Sequence, residues 1–314
     1  MEEILKNSMN KTQKRSAQDL RSILCKKERS FLQGQHIKLT DAWDLEAFGL
    51  QKVKAFNILS EDKKFQILNN MSLYRLQEAH SIETAGMTFT AKMSLLAISE
   101  DEQILYSHFA KDEAQHLAYF NEMLAGYYLN SNDDPFIRLL KNVIMSGSRR
   151  SLIFIIQILL EGWGIDHYHL MSFTCKHPLL KKILGKIIAD EAAHHASGLI
   201  LFDESELTKN EFKYICDIVA HFLELVTMGP ISVLGQIESA HESLTSRQRN
   251  EVYKDLDALS DVKRKLNILK SLMIKAKSLK IVKYLEDRNL FAVSFSEVNL
   301  FVNPANQRPI SLML

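Results

Sequence analysis

Along most of the chain apolar residues return every three to four positions, the spacing of a helix with one buried face. Phe65, Ile67, Leu68, Met71 and Leu73 open such a stripe behind Ser60, Glu61 and Asp62, which supply an N-cap and first-turn acids. The stripe predicts a long helix to about Ala97. Ser99-Glu100-Asp101-Glu102 reads as a capping box and starts a second helix, reaching about Tyr128. After a turn at 130–134, Pro135 suits the first position of a short helix. Leu152 to Leu160 is apolar all round, as in a helix at the middle of a bundle, and that helix should continue to about Cys175. His177-Pro178 ends it and begins the next.

Thr208-Lys209-Asn210-Glu211 and Thr245-Ser246-Arg247-Gln248 are two more capping boxes, and Gly229-Pro230 breaks the helical region between them. Near the start, Trp43, Phe48 and Val53 fall on one side of a helix expected from Thr40 or Asp41. Only Phe291 to Val302 alternates as an extended segment does. An all-α protein follows, with residues 1–38 as an N-terminal arm or peripheral helix, 39–244 as a helical bundle, and 245–314 as a C-terminal basic helix and extended tail packed on that bundle.

Composition sharpens this without changing it. The 314 residues are 46% hydrophobic and 25% charged, ordinary for a globular protein, and only five are proline. A net charge of +1 supplies no global field to recruit nucleic acid or a membrane surface. Cys25, Cys175 and Cys216 are odd in number and form no C-x-x-C, which argues against structural disulfides and for a cytoplasmic setting. The polar N-terminus lacks the apolar core of a signal peptide, and no apolar run is long enough to span a bilayer.

The chemistry lies in a repeat. Glu113-x-x-His116 follows Glu83 by 30 positions (113 − 83), and Glu191-x-x-His194 follows Glu161 by the same 30 (191 − 161). The halves are offset by 78 positions (191 − 113), and at that offset Gly86 meets Gly164, Met93-Ser94 meets Met171-Ser172, and Asp112 meets Asp190. Residues three apart share a helix face, so each Glu-x-x-His can serve one metal ion while the lone glutamates arrive from partner helices. Four carboxylates and two imidazoles suit two iron or manganese ions and balance their charge. A third instance, Glu238 to His241, has no upstream partner glutamate and reads as surface. Glu78 and His80 compete with Glu83, but the matched spacing favours Glu83. His195 points away from its neighbour His194, as an outer contact or surface residue. Trp163, His167, Tyr168 and His169 crowd the turns after Glu161, by default as core or interface residues, with a substrate-lining role as the other option.

The pattern resembles the ferritin-like di-iron carboxylate superfamily, in which a glutamate from each of two helices joins Glu-x-x-His from each of the other two. The resemblance covers about residues 60–205. It implies a four-helix bundle with additional peripheral helices, metal ligands Glu83, Glu113, His116, Glu161, Glu191 and His194, and outer carboxylates Asp112 and Asp190 that orient the imidazoles. A radical-bearing reductase subunit is disfavoured because Phe120 stands where its tyrosine belongs, and a rubrerythrin because no C-x-x-C is present. Ile187 occupies the place of the extra histidine of arylamine N-oxygenases. The implied activity is a di-iron oxidase or oxygenase that uses dioxygen on a small or acyl-chain organic substrate, by hydroxylation, N-oxygenation, desaturation or oxidative cleavage. A ferroxidase without organic substrate is the alternative.

Expected partners are a small-molecule or carrier-bound substrate, an external electron donor (no dinucleotide or iron–sulfur fingerprint is present) and a second copy in a homodimer. Eight basic residues and one acid lie between Asp261 and Lys283, beside Leu266, Leu269, Met273 and Ala276 at helical spacing. They form either a solvated outer face or a docking surface for an acidic carrier protein.

Overall fold

A computed structural model describes residue 20 and residues 38–127, 134–241 and 243–293. Among these the chain is helical throughout and contains no strand. The helices are α1 (Glu61–Leu96), α2 (Glu100–Met123), α3 (Pro135–Ser146), α4 (149–174), α5 (Pro178–Leu201), α6 (Lys209–Thr227), α7 (Ile231–Ala240), α8 (Ser246–Asp255), α9 (Ala258–Lys275) and α10 (Leu279–Glu286).

Local chemistry explains most boundaries. Ser99 accepts a bond from the Glu102 amide, Asp134 from Phe136 and Ile137, and His177 from Leu180. Both halves of the capping box are made at Thr208–Glu211 and Thr245–Gln248. At the start of α2, however, the Glu102 carboxylate turns to the Ile98 amide and to Arg149 instead of the Ser99 amide. Ser60 holds the N-cap position of α1 without a side-chain bond, so the first-turn acids Glu61 and Asp62 are what favour that end. Gly229 in the left-handed region, followed by Pro230, separates α6 from α7.

Two expectations fail. The helix expected from residue 40 is a series of short 3-10 turns over Leu39–Lys52 and one α turn at Lys54–Asn57. Gly49 at φ 67 breaks the periodicity, and Trp43 and Phe48 reach the core from separate turns. The second helix ends at Met123; Tyr128 and the turn at 130–133 lie outside the described residues. Of the expected extended segment only 291–293 are described, without strand pairing; the rest of it, like the arm apart from residues 20 and 38, lies outside the described residues.

Helices α1 and α2 pair along their length, as do α4 and α5, and the two pairs meet through α2 and α5. Two apolar clusters fill the interior. One combines the 39–56 turns, the first half of α1, the end of α2, the end of α4, the start of α5, α7 and α8. The other combines Ala85, Phe89 and Met93 of α1, Tyr106 and Phe109 of α2, α3, the apolar start of α4, α6, α9 and α10. The stretch 209–240 has the length and mean hydropathy of a membrane span, but it is broken at Gly229-Pro230 and lays Ile215, Val219, Phe222 and Leu223 in the core.

Candidate metal centre

Between the two apolar clusters lies a layer of acids and imidazoles. The long helices carry it: Glu83 on α1, Glu113 and His116 on α2, Glu161 on α4, Glu191 and His194 on α5. One face of each Glu-x-x-His turn presents both side chains inward, as their three-residue spacing requires. Glu83, Glu113, His116 and His194 are each no more than 2% exposed, so the layer is out of bulk water.

These six residues form two donor sets. Glu83, Glu113, His116 and Glu191 offer ligand atoms within 4.8 Å of one another, and so do Glu113, Glu161, Glu191 and His194. Glu113 and Glu191 belong to both sets, one from each Glu-x-x-His. His116 Nδ1 lies 3.1 Å from Glu83 and 3.6 Å from Glu191. His194 Nδ1 lies 3.4 Å from Glu113, 3.8 Å from Glu161 and 3.6 Å from Glu191. Both Nδ1 atoms thus face carboxylate oxygens while both Nε2 atoms face outward. The outer aspartates are exchanged between halves: Asp190 is 3.1 Å from His116 Nε2, and Asp112 is 3.8 Å from His194 Nε2.

The electrostatics are those of a site that needs cations. Burial, reinforced by Glu191 and Glu83, pushes the Glu113 carboxyl well above its usual range. Burial with Glu161 does the same to Glu191. Burial alone would lower the histidines, but the Glu83 charge and bonds to Asp190 and Glu83 raise His116 to about 10. The Glu161 and Glu191 carboxylates close to its ring likewise overcome burial and raise His194 to about 11. Burial also works on Glu161, yet the neighbouring Glu191 and the His194 and His116 rings hold it below the usual range. Protons on the shared carboxylates and both rings therefore do the work that divalent ions would do. Neither ring nitrogen of buried His194 has a hydrogen-bond partner, a strong sign of an unmet ligand. Oxygen and imidazole donors in two sets of four fit two iron or manganese ions.

Further contacts shape the layer. The Tyr168 hydroxyl donates to Glu83 from α4, and burial beside that carboxylate keeps the phenol protonated. A Cβ at Gly86 would stand 2.3 Å from Glu113 Oε2, so only glycine admits Glu113 against α1. The repeat-matched Gly164 has open space around it. Residues Ile153–Leu160 are wound as a π-helix immediately before Glu161. Such widened turns sit at many functional sites because they re-aim the next side chain. Fully buried Gln157, within that segment, donates to the His194 carbonyl at 3.1 Å and to Ser197 at 2.6 Å while accepting from Tyr106 at 2.9 Å. It pins α4 to α5 beside the ligand. Tyr168 and Gln157 were visible as residues, but nothing in the spacing announced their partners.

The competing residues stay outside both sets. Glu78 and His80 are on α1 below Glu83, and His80 bonds to Asn121. His195 is not at the surface: it is 5% exposed and its Nδ1 lies 3.1 Å from the Ile158 carbonyl in the π-wound part of α4. The third motif is tied up structurally rather than simply solvated, with Glu238 paired to Arg249 and His241 bonded to the Ala55 carbonyl. Trp163 packs on Phe136 and Phe222, while His169 is exposed. In the basic stretch, Lys265 and Arg264 pair with Asp261, Arg264 also with Asp166, and Lys270 with Glu286.

No family model matches the chain, and neither the curated proteins nor the solved structures contain a match to it.

Proposed function

We propose that the chain is a ferritin-like di-iron oxidoreductase that uses dioxygen to oxidise a small or acyl-chain organic substrate. The observation that supports it is the pair of four-residue donor sets sharing Glu113 and Glu191 in a buried layer. Iron held there would supply the electrons for dioxygen chemistry, which no side chain of the protein supplies. Manganese shares the same ligand preferences.

The residues of the chain have definite tasks in this reading. Glu83 and His116 would hold one ion and Glu161 and His194 the other, while Glu113 and Glu191, common to both donor sets, would contribute to either. Asp190 accepts from His116 Nε2 and so would leave Nδ1 of that ring as the ligand, while Asp112 stands 3.8 Å from His194 Nε2, near enough to steer that ring once it is held. Tyr168 restrains one Glu83 oxygen and stays protonated at neutral pH. The apolar residues on either side, among them Phe109 with its ring 4.0 Å from that of His194, keep water from the layer. Electrons come from a separate donor, the protein works in the cytoplasm, and its partners include an acidic carrier or a second copy.

Metal analysis after anaerobic loading with ferrous ion tests the reading. About two ions per chain are expected, falling to one or none in Glu113→Ala and Glu191→Ala, while His195→Ala keeps two. A wild-type chain that retains no metal sinks the proposal. Dioxygen uptake then separates chemistries: uptake that depends on an organic compound supports the oxygenase, and steady turnover of free ferrous ion without one means a ferroxidase.

A further inference from the structure

Among the described residues, the buried nitrogens with no hydrogen-bond partner include, beyond the metal layer and His195, Arg75 Nη1 and His167 Nε2, and the Arg75 charge acts on the His167 ring. Arg75 is on α1, eight residues before Glu83, and is firmly held. Its guanidinium lies 4.2 Å from the Phe48 ring centre and 5.1 Å from that of Trp43, and Nη2 donates to the Ala47 carbonyl at 3.3 Å. Trp43 in turn donates to the Met171 carbonyl at 3.0 Å, one turn beyond His167 on α4. Tyr168, beside His167, bonds to Glu83. Arg75 and His167 thus lie under the cap formed by the 39–57 turns, at the Glu83 end of the metal layer.

A guanidinium held on one side with its other edge buried and unfilled is a costly arrangement unless an anion completes it. None of the described carboxylates bonds to that edge, although the Glu78 charge lies close enough to favour the charged guanidinium. Glu78 is one turn along α1 and carries no bond to Arg75, and burial together with Asp134 pushes its carboxyl up to about 7. Lys265, the other cation of the neighbourhood, is already tied to Asp261 at 2.7 Å. Burial, with Arg75 and Lys265 close by, lowers His167 to about 4, so its ring is neutral and able to donate or accept one bond. One free guanidinium edge and one neutral imidazole suit a monoanion with planar oxygens, and the nearby acids Glu78 and Asp134 oppose a dianion.

We infer that Arg75 and His167 bind the carboxylate of an organic acid whose body extends toward Glu83. Eight residues of helix separate Arg75 from Glu83, a rise of about 12 Å, so the ligand is a small acid with a body shorter than that. Arg75 then becomes the residue that selects a carboxylate and sets which carbon reaches the metal layer. The orientation of the body rests on the proposed oxygenase reading; the carboxylate site itself does not.

Titration calorimetry on the full, metal-free chain tests the site, with benzoate, phenylacetate, hexanoate and octanoate compared with their primary amides and with inorganic phosphate. At least one acid should bind tenfold or more tightly than its amide and than phosphate, and should change Trp43 emission relative to a Trp163→Phe background. Arg75→Lys, which keeps the charge but loses the fork, should weaken that acid at least tenfold, and His167→Gln about threefold or more. The inference is overturned if no acid is preferred over its amide, a comparison needing no variant. It is also overturned if phosphate binds more tightly than every acid, or if folded Arg75→Lys binds acid as wild type does. Failure of iron loading alongside intact acid preference would overturn the oxygenase reading and leave this site standing.

Discussion

Glu78 is a single side chain whose surroundings make a measurable statement. Its carboxyl ionises near 7 in the folded protein because of burial and then Asp134, against about 4.5 unfolded. The native state therefore holds a proton that the unfolded chain releases between those values, and unfolding free energy falls as pH rises from about 4.5 to 7. Glu78→Gln should remove that slope, raising stability at pH 8 by about 2 kcal/mol, discounted for a half-buried group, and leaving it unchanged at pH 4. Denaturant titrations at the two pH values check it. The glycines give a paired test. Gly86→Ala must push the Glu113 carboxylate aside and should cut metal loading, although alanine itself favours the helix. Gly164→Ala, in open space, should leave loading intact and add about 0.5–1 kcal/mol of stability. At this scale the ligand residues were readable from sequence, since acid and imidazole at fixed spacing encode the chemistry directly. Tyr168 on Glu83 was not, because that contact joins residues 85 apart and depends on the rotation of α4.

Helix ends were legible for a local reason: Ser99, Asp134, His177, Thr208 and Thr245 cap with bonds made within a few residues. The 39–57 turns were misread because Trp43 and Phe48 also satisfy a helical spacing, and only packing around Arg75 and Met171 distinguishes the two. The π-wound segment 153–160 left no trace at all, since an apolar run has no periodicity to show the widened turn. Gln157 is its one informative residue. Gln157→Leu should unpin α4 from α5 beside His194, leaving the Tyr106 hydroxyl buried and unpaired. A loss of about 2 kcal/mol of stability is expected, with weaker metal retention on the Glu161–His194 side. Thermal unfolding with and without added ferrous ion separates the two effects.

For the whole molecule, an acidic layer that could hold metal ions lies between two apolar clusters, so any ion it takes up should act on global stability. Ions that bind the folded chain alone should raise its melting temperature in proportion to the logarithm of their free concentration, and a chelator should reverse the rise. Loading must also displace protons from Glu113, Glu191, His116 and His194, so metal affinity should drop steeply below neutral pH, with proton release visible by calorimetry in buffers of differing ionisation heat. Asp190→Asn and Asp112→Asn should each lower affinity about 10- to 100-fold. The six-residue site was legible across this scale because the repeat carries it, whereas the exchange of aspartates between halves needed the helices in place. That exchange has a consequence for how the two halves depend on each other. Each half supplies the steering group for the other half's histidine, and each supplies a glutamate to the other half's ion. The site is thus a lock whose tumblers are split between the two halves: neither half can change alone without disturbing both donor sets.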